Sequence, residues 1–180
     1  MRHESAEVVV LGAGAAGCAT ALFLARRGVN VKVVERDAIG SCASGYALGV
    51  LNPHTGAGVS GPMAVFARAS FEMHRELWPE LQEQADVDIQ VREAPELRLF
   101  LSAQDVDAQE EEMTLWSQTD GFSIQWLGPE EVCRLEPRIN PRVHRAALLE
   151  HIAMVDSYRY TLALAQAGAK VFIGDIDMDA

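Results

Sequence analysis

The sequence predicts an α/β protein in which helices cover both faces of a parallel β-sheet, giving three layers. Residues 7–11 are mainly β-branched and end at a glycine, as expected for a strand buried on both faces. Residues 15–27 carry alanine, leucine and phenylalanine at helical spacing, and Gly28 is a suitable residue to end a helix. Residues 30–36 form a second β-branched run, so these segments predict a βαβ unit with parallel strands.

The middle of the chain predicts a loop, a helix and a hairpin. Residues 40–62 are rich in glycine and have no sustained period, which is typical of a long functional loop. A helix is expected from Pro62 onward, and Pro79 should kink or end it. Residues 88–102 alternate in polarity on both sides of a short turn and predict an antiparallel hairpin that stands apart from the parallel sheet.

Local signals mark the remaining elements. Ser102 and Asp105 resemble a capping box that opens an acidic helix, which Gly121 closes. A short strand and a short helix with proline at its start come next. Asp156 is placed to cap the last helix, and residues 170–176 predict a closing strand of the parallel sheet. We therefore expect residues 1–84 to form a dinucleotide-binding region, 85–150 a partial α+β substrate domain, and 151–180 a helix and strand that return to the first region.

Composition and charge exclude several classes of protein. The formal net charge is −11, and neither nucleic acid nor an anionic membrane favours such a surface. Glycines interrupt the first apolar segment, and Arg26 and Arg27 follow it, which disfavours a membrane span or a signal peptide. The three cysteines and five histidines show no metal-ligand spacing, so we expect no metal site, free thiols and a cytoplasmic protein.

The turn after the first predicted strand has the spacing of a dinucleotide-binding motif. Gly12, Gly14 and Gly17, with Ala15 and Ala16 between them, fit GxGxxG between a strand and a helix. The first glycine permits the tight turn, the second lets a pyrophosphate approach the backbone, and the third lets the helix lie close to the sheet. The helix then presents unpaired N–H groups and the positive end of its dipole to the anion.

A carboxylate stands where such a site binds ribose. Glu35 ends the second strand and follows Gly12 by the interval expected for a residue that accepts hydrogen bonds from ribose hydroxyls. A carboxylate also repels a 2′-phosphate, so NADP is disfavoured. The motif therefore predicts a site for FAD or NAD.

The glycine turn and the loop after the second strand together resemble the FAD-dependent D-amino acid oxidase superfamily, in particular its glycine oxidase and sarcosine oxidase-like branch. In that family a loop of small residues with a serine follows the acidic strand end, and an apolar stretch ending in proline comes after it. The positions that match this pattern are Gly40, Ser41, Ala43, Ser44, Gly45, Gly49 and Pro53.

The resemblance implies how a cofactor would be held. Ser41, Ala43 and Ser44 would lie along the pyrophosphate and ribityl chain, and the backbone of Gly49, Val50 and Leu51 would lie along the isoalloxazine ring. Arg36 would lie over the adenine or ribose edge. No histidine or cysteine stands at a recognisable attachment position, so the implied cofactor is non-covalent FAD.

The implied reaction is oxidation of a small-molecule amine or amino acid by hydride transfer to flavin N5, with dioxygen as acceptor. The resemblance identifies no catalytic residue in this chain. The sequence departs from the family pattern around the acid of the "MVD" segment, where Ala153 and Ser157 stand in place of the usual glycine and proline. Family chains are also about twice as long.

Two alternatives stay open at this point. A plain NAD-dependent dehydrogenase predicts further βαβ repeats after Glu35, whereas the sequence has a glycine loop and a predicted hairpin. A catalytically inactive half of a flavoprotein is favoured by the chain length. For such a half we expect weak FAD binding and association through exposed edges of an incomplete domain.

Overall fold

The computed structural model describes residues 5–54, 61–168 and 170–174. It contains nine strands and seven helices within those ranges. In chain order they are β1 (Val8–Leu11), α1 (Ala15–Ala25), β2 (Val31–Glu35), α2 (Ala43–Tyr46), β3 (Val50–Leu51), α3 (Ala64–Gln84), β4 (Arg92–Glu93), β5 (Glu96–Phe100), α4 (Ala103–Ala108), α5 (Glu110–Ser117), β6 (Ile124–Leu127), α6 (Pro129–Leu135), β7 (Arg145–Leu149), β8 (Ala153–Met154), α7 (Ser157–Ala167) and β9 (Lys170–Ile173). The fold is α/β and Rossmann-like, as the sequence predicts.

The parallel sheet has the order β1-β2-β9, and both pairings are parallel. The predicted closing strand thus joins this sheet through Lys170–Ile173, while residues 175 and 176 of that prediction lie outside the described residues. The side chain of Val10 lies on the face that α1 covers, since a Cβ on Gly17 would lie 3.4 Å from Val10 Cγ1. Val9 and Leu11 alternate to the other face and are 53% and 66% exposed.

The predicted hairpin at 88–102 is wrong. Its two halves are strands, but β4 pairs with β8 and β5 pairs with β7, so the halves do not pair with each other. The linking residues explain the difference: tight hairpin turns need positive φ, and Ala94 and Pro95 do not supply it. The N–H of Ala94 instead donates to the Ile152 carbonyl at 2.9 Å.

Other differences are local. The predicted loop at 40–62 contains the short helix α2 and the strand β3, which pairs with β8. Pro79 does not end α3, which continues to Gln84. The acidic helix is divided into α4 and α5, although the capping box at Ser102 and Asp105 is present as predicted.

The chain divides into two compact units. The first comprises residues 1–49, 74–91 and 155–180, and the second comprises residues 50–73 and 92–154. In the first unit α1 and α7 pack closely, since a Cβ on Gly168 would lie 3.3 Å from the Leu22 backbone. In the second unit the sheet β5-β7-β6 carries one core cluster that contains Trp116 and Leu149, and another that contains Val132 and Ala146.

None of the helices that the structure describes is long and apolar enough to cross a membrane.

Leu149 tests the core of the second unit. Its side chain is fully buried in the cluster that contains Phe100 and Trp116. Leu149→Ala should lower the free energy of unfolding by about 2–5 kcal/mol, because it removes buried methyl groups and leaves a cavity. Leu101 is 69% exposed, so Leu101→Ala should change stability by less than about 0.5 kcal/mol. Urea unfolding followed by tryptophan fluorescence measures both variants, and equal effects would contradict this description of the core.

Candidate cofactor-binding site

The glycine turn leaves β1 through a left-handed residue. Gly12 has φ +96°, a conformation that side chains other than glycine rarely adopt. Its N–H donates to the Val34 carbonyl at 2.7 Å, so the turn begins while the chain is still hydrogen-bonded to β2. The tight turn predicted for the first glycine of the motif is therefore present.

The third glycine allows close packing of α1 against the turn. A Cβ on Gly17 would overlap the carbonyl oxygen of Gly12. No side chain fits at this position unless the helix moves away. Cys18 follows in the same helix, is 1% exposed, and has its pKa raised to about 11 by burial and by the charge of Glu35.

The first turn of α1 presents free backbone donors. The N–H groups of Gly14, Ala16 and Gly17 have no hydrogen-bond acceptor among the described residues, and the first bond into the helix runs from the Cys18 N–H to the Gly14 carbonyl at 2.9 Å. Together with the dipole of α1, these donors form a site that favours an anion.

Ser44 lies directly over this helix terminus. Its Oγ accepts a hydrogen bond from the N–H of Ala15 at 3.0 Å. A Cβ on Gly14 would lie 3.0 Å from the same oxygen, so a side chain there would fill the space beside the free donors. The structure thus brings one predicted loop residue to the predicted glycine turn.

The carboxylate of Glu35 connects the turn to the end of β2. Oε2 accepts from the N–H of Ala13 at 2.7 Å, and Oε1 accepts from the N–H of Asp37 at 3.0 Å. These hydrogen bonds, from Asp37 first and Ala13 second, hold the pKa of Glu35 below its ordinary value. Each carboxylate oxygen can accept further hydrogen bonds, so these contacts leave capacity for a ribose hydroxyl.

The loop of small residues is attached to the same turn. The N–H of Gly40 donates to the Ala13 carbonyl at 3.0 Å. A Cβ on Gly45 would overlap the Gly40 carbonyl, so α2, which includes Ala43, needs glycine there for packing. Ser41 is placed differently from Ser44, because its Oγ lies 3.9 Å from Cys42 Sγ and makes no hydrogen bond to the glycine turn within the described ranges.

The last part of the predicted site consists of residues 49–51. Gly49, in the first unit, has φ +78°, and a Cβ on it would overlap the Val155 carbonyl. Val50 and Leu51 form β3 in the second unit, where they pair with Met154 and Ala153. Close backbone contact and strand pairing fix the conformations of these residues.

The structure defines the surroundings of three further side chains, those of Arg36, Tyr46 and His54. Arg36 forms an exposed ion pair with Asp37 at 3.1 Å. Tyr46 is 86% exposed, and His54 is 4% exposed, so the first faces solvent and the second is part of a packed interior. Sequence reasoning missed Ala13 and Asp37 as contacts, because they act through backbone groups that no residue type marks.

The residues present fit a dinucleotide. Free N–H donors, a space that a Cβ on Gly14 would occupy, and a carboxylate at the end of β2 match the pyrophosphate and ribose of such a cofactor. Within the ranges that the structure describes, no group of three or more His, Cys, Asp or Glu side chains is arranged to hold a metal ion.

Comparisons with known proteins agree with this geometry. A family model described as DAO, FAD dependent oxidoreductase, matches residues 7–174. A glycine oxidase of Bacillus licheniformis is 28% identical over 170 residues, which are 94% of this chain and 44% of that protein. The tRNA 5-methylaminomethyl-2-thiouridine biosynthesis bifunctional protein MnmC of Nitrosospira multiformis is 38% identical over 106 residues, which are 58% of this chain and 16% of that protein.

Solved structures give the same result. The crystal structure of glycine oxidase from Geobacillus kaustophilus superposes with a TM-score of 0.83 at 28% sequence identity, over 93% of this chain and 46% of that one. The chain therefore spans less than half the length of the glycine oxidases that it matches. The family resemblance stated from the sequence is confirmed, and so is FAD as the cofactor of that family.

Glu35 makes the stability of the fold depend on pH, and the direction of that dependence follows from its pKa. Since its folded pKa is lowered, its stabilising effect is complete above the ordinary carboxyl pKa and is lost as pH falls through the folded value. Glu35→Gln should therefore lower the urea midpoint at pH 7, and the difference from wild type should shrink in acid. Glu83→Gln is the matched control, because Glu83 is an exposed carboxylate of the same unit. A Glu35→Gln deficit that stays constant down to the acid limit of folding would contradict this role.

Proposed function

The chain belongs to the DAO family of FAD dependent oxidoreductases, and we propose that it holds FAD for the oxidation of a small amine or amino acid. The observation that carries the proposal is the set of free N–H donors at the start of α1, with the Glu35 carboxylate beside it. A pyrophosphate needs N–H donors and a ribose needs a hydrogen-bond acceptor such as a carboxylate, and this turn offers both.

Each predicted residue has a role in the proposal. The N–H groups of Gly14, Ala16 and Gly17 would bind the pyrophosphate. Gly12 would form the tight turn, and Ala15 is the first residue of α1. The Ser44 hydroxyl, now bonded to Ala15, can donate its own proton to a phosphate oxygen.

Glu35 would accept from the ribose while it holds the turn through Ala13. Arg36 would approach the adenine end while it is paired with Asp37. Ser41 and Ala43 would line the path from the pyrophosphate towards the flavin.

The flavin end would lie along Gly49, Val50 and Leu51. A bound FAD would supply the hydride-accepting chemistry for a carbon that bears an amine, with dioxygen as the final acceptor. Fixed amide dipoles of this backbone would stabilise negative charge on the reduced ring. We assign residues 1–84 and 151–180 to FAD binding and residues 85–150 to part of a substrate domain. The catalytic side chains are not assigned.

Glycine oxidases support an amino acid or amine as the substrate, since they match most of this chain. The MnmC relative is named for tRNA modification and shares a shorter segment. The net charge of −11 favours a small molecule over tRNA, because nucleic acid binding depends on Lys and Arg. The family description names FAD, which favours it over NAD. A cytoplasmic location remains a prediction from the cysteines.

The free edge of β1 supports the association that we also propose. The N–H groups of Val8 and Gly12 donate to β2 residues or their neighbours, so those of Val9 and Leu11 face away from β2. No described strand lies on that side, and neither a charge nor a proline blocks the edge. Apolar side chains and free backbone groups at one edge favour pairing with another chain.

Leu11→Lys tests this edge. A lysine places charge on an exposed position of β1, so it should lower the fraction of dimers and larger species without unfolding the protein. Sedimentation velocity at several protein concentrations measures the effect. Leu135→Lys, at a position that is 59% exposed in the other unit, is the control and should leave association unchanged. Identical sedimentation of Leu11→Lys and wild type would exclude the β1 edge as the contact.

Two measurements test the proposed function: the affinity of the protein for FAD, and the production of peroxide with glycine, sarcosine or D-amino acids as substrate. Gly14→Val should abolish FAD binding, because its side chain would occupy the space beside Ser44 Oγ. Gly128→Val is a matched control, since Gly128 is also a helix N-cap residue, with φ −79° against −76° for Gly14. Equal FAD affinity in all three proteins would overturn the proposed site. Binding of FAD without peroxide would favour the alternative, a half that binds the cofactor but does not turn over.

A further inference from the structure

The strand β3 is too short to fix its own position. It consists of Val50 and Leu51, and among the strands that the structure describes it pairs with β8 alone. Strands in globular proteins usually have about three to ten residues, so a two-residue pairing supplies few hydrogen bonds. Val50 is also 39% exposed, which leaves little packing to hold it. Contacts outside the strand must therefore help to fix this segment.

The residue that follows β3 supplies two such contacts. Oδ1 of Asn52 accepts from the N–H of His54 at 2.9 Å, which closes a turn around Pro53. Nδ2 of Asn52 donates to Oε2 of Glu96, the first residue of β5, at 3.0 Å. Asn52 thus connects the turn after β3 to another strand of the same unit.

Glu96 is itself held by a network of charged side chains. Its Oε1 accepts from Nε and Nη2 of Arg98 at 3.2 and 3.0 Å, and Nη1 of Arg98 donates to Oε1 of Glu112, in α5, at 2.7 Å. The side chain of Arg98 is only 18% exposed. Ion pairs out of water add little net stability, but a fully hydrogen-bonded network holds its side chains in one arrangement. The carboxylate that accepts from Asn52 is therefore fixed in place.

A second turn of the same kind shows what is particular to Asn52. Asn140 precedes Pro141, and its Oδ1 accepts from the N–H of Arg142 at 3.0 Å, as in the first turn. Within the part of the chain that the structure describes, the Nδ2 of Asn140 has no hydrogen-bond acceptor. An Asn-Pro turn therefore closes without the second bond. The bond from Asn52 to Glu96 must contribute something other than turn formation.

We propose that Asn52 is a positioning residue, which through Glu96 and Arg98 fixes β3, the strand along which the flavin ring would lie. The part of this inference that concerns the flavin rests on the proposed function, whereas the part that concerns β3 does not. The contacts require an amide, since the side chain accepts at one atom and donates at the other. An aspartate would accept at both atoms and would place a second carboxylate beside Glu96.

Hydrogen exchange without FAD tests the effect on β3. Asn52→Asp removes the donor, so the amides of residues 50–54 should exchange about tenfold or more faster than in wild type. Adding Glu96→Gln to Asn52→Asp should restore the slow exchange. The introduced amide nitrogen then donates to the introduced carboxylate, while the amide oxygen still accepts from Arg98. Asn140→Asp is the matched control and should leave residues 50–54 unchanged, because its turn needs only the acceptor.

Two results would overturn the positioning role. One is unchanged exchange of residues 50–54 in Asn52→Asp, and the other is a double variant that exchanges as fast as this single variant. Circular dichroism checks that each variant folds. If Asn52→Asp does not fold, Asn52→Ala is measured against Asn140→Ala, since it removes both hydrogen bonds without adding a charge. Equal exchange of residues 50–54 in these two variants would also overturn the proposal.

The visible spectrum of bound FAD tests the effect on the flavin. Asn52→Asp should shift the spectrum towards that of free FAD, whereas Asn140→Asp should match wild type. The double variant has the same added carboxylate and should also match wild type, so the shift reports position and not charge. Faster exchange at β3 with an unshifted spectrum would overturn the flavin role. Absence of FAD binding in wild type would overturn the proposed function instead, and the exchange experiment would still decide whether Asn52 positions β3.

Discussion

The carboxylate of Glu35 is the constraint on which the candidate cofactor site depends. It accepts from backbone N–H groups on both sides of the sheet end, those of Ala13 and Asp37. Hydrogen bonds to a charged group contribute about 1.5–3 kcal/mol each when they are well formed, so this side chain fixes the turn before any ligand binds. The free donors of α1 then point in a direction that is already set, and a ligand does not have to order them.

Close contacts between backbone segments impose the second constraint. Gly17, Gly45 and Gly49 each lie against a carbonyl oxygen of another turn, and a Cβ would overlap that oxygen. Glycine is therefore required at these positions for two different reasons. At Gly14 a Cβ would lie 3.0 Å from a side-chain oxygen, that of Ser44, beside the free donors, whereas the other three glycines are required by the packing of the backbone itself. A substitution of Gly14 should therefore affect ligand binding, whereas a substitution of Gly17, Gly45 or Gly49 should affect the fold.

Local signals in the sequence predicted much of this structure. The βαβ unit, the GxGxxG turn, the capping box at Ser102 and the cap at Asp156 are all present, because each depends on residues within a few positions of one another. The hairpin failed because strand pairing is not local: β5 finds its partner in β7, forty-five residues or more away, and β7 itself has no alternating pattern in "RAALL". At the site, the residue types of Gly14, Ser44 and Glu35 were informative. The backbone contacts of Ala13 and Asp37 were not, since they have no side-chain signature.

The three cysteines differ in their surroundings, and this has a practical consequence for chemical labelling. Cys18 is buried and its pKa is raised to about 11, so we expect it to react much more slowly with maleimides and iodoacetamides than an exposed thiol. Cys42 is exposed and directly precedes α2, the segment that carries Ser44. With Cys133 replaced by serine, a single fluorophore or spin label can be attached beside the loop of small residues. Such a probe reports distances and mobility at that loop from a thiol that the native sequence already provides.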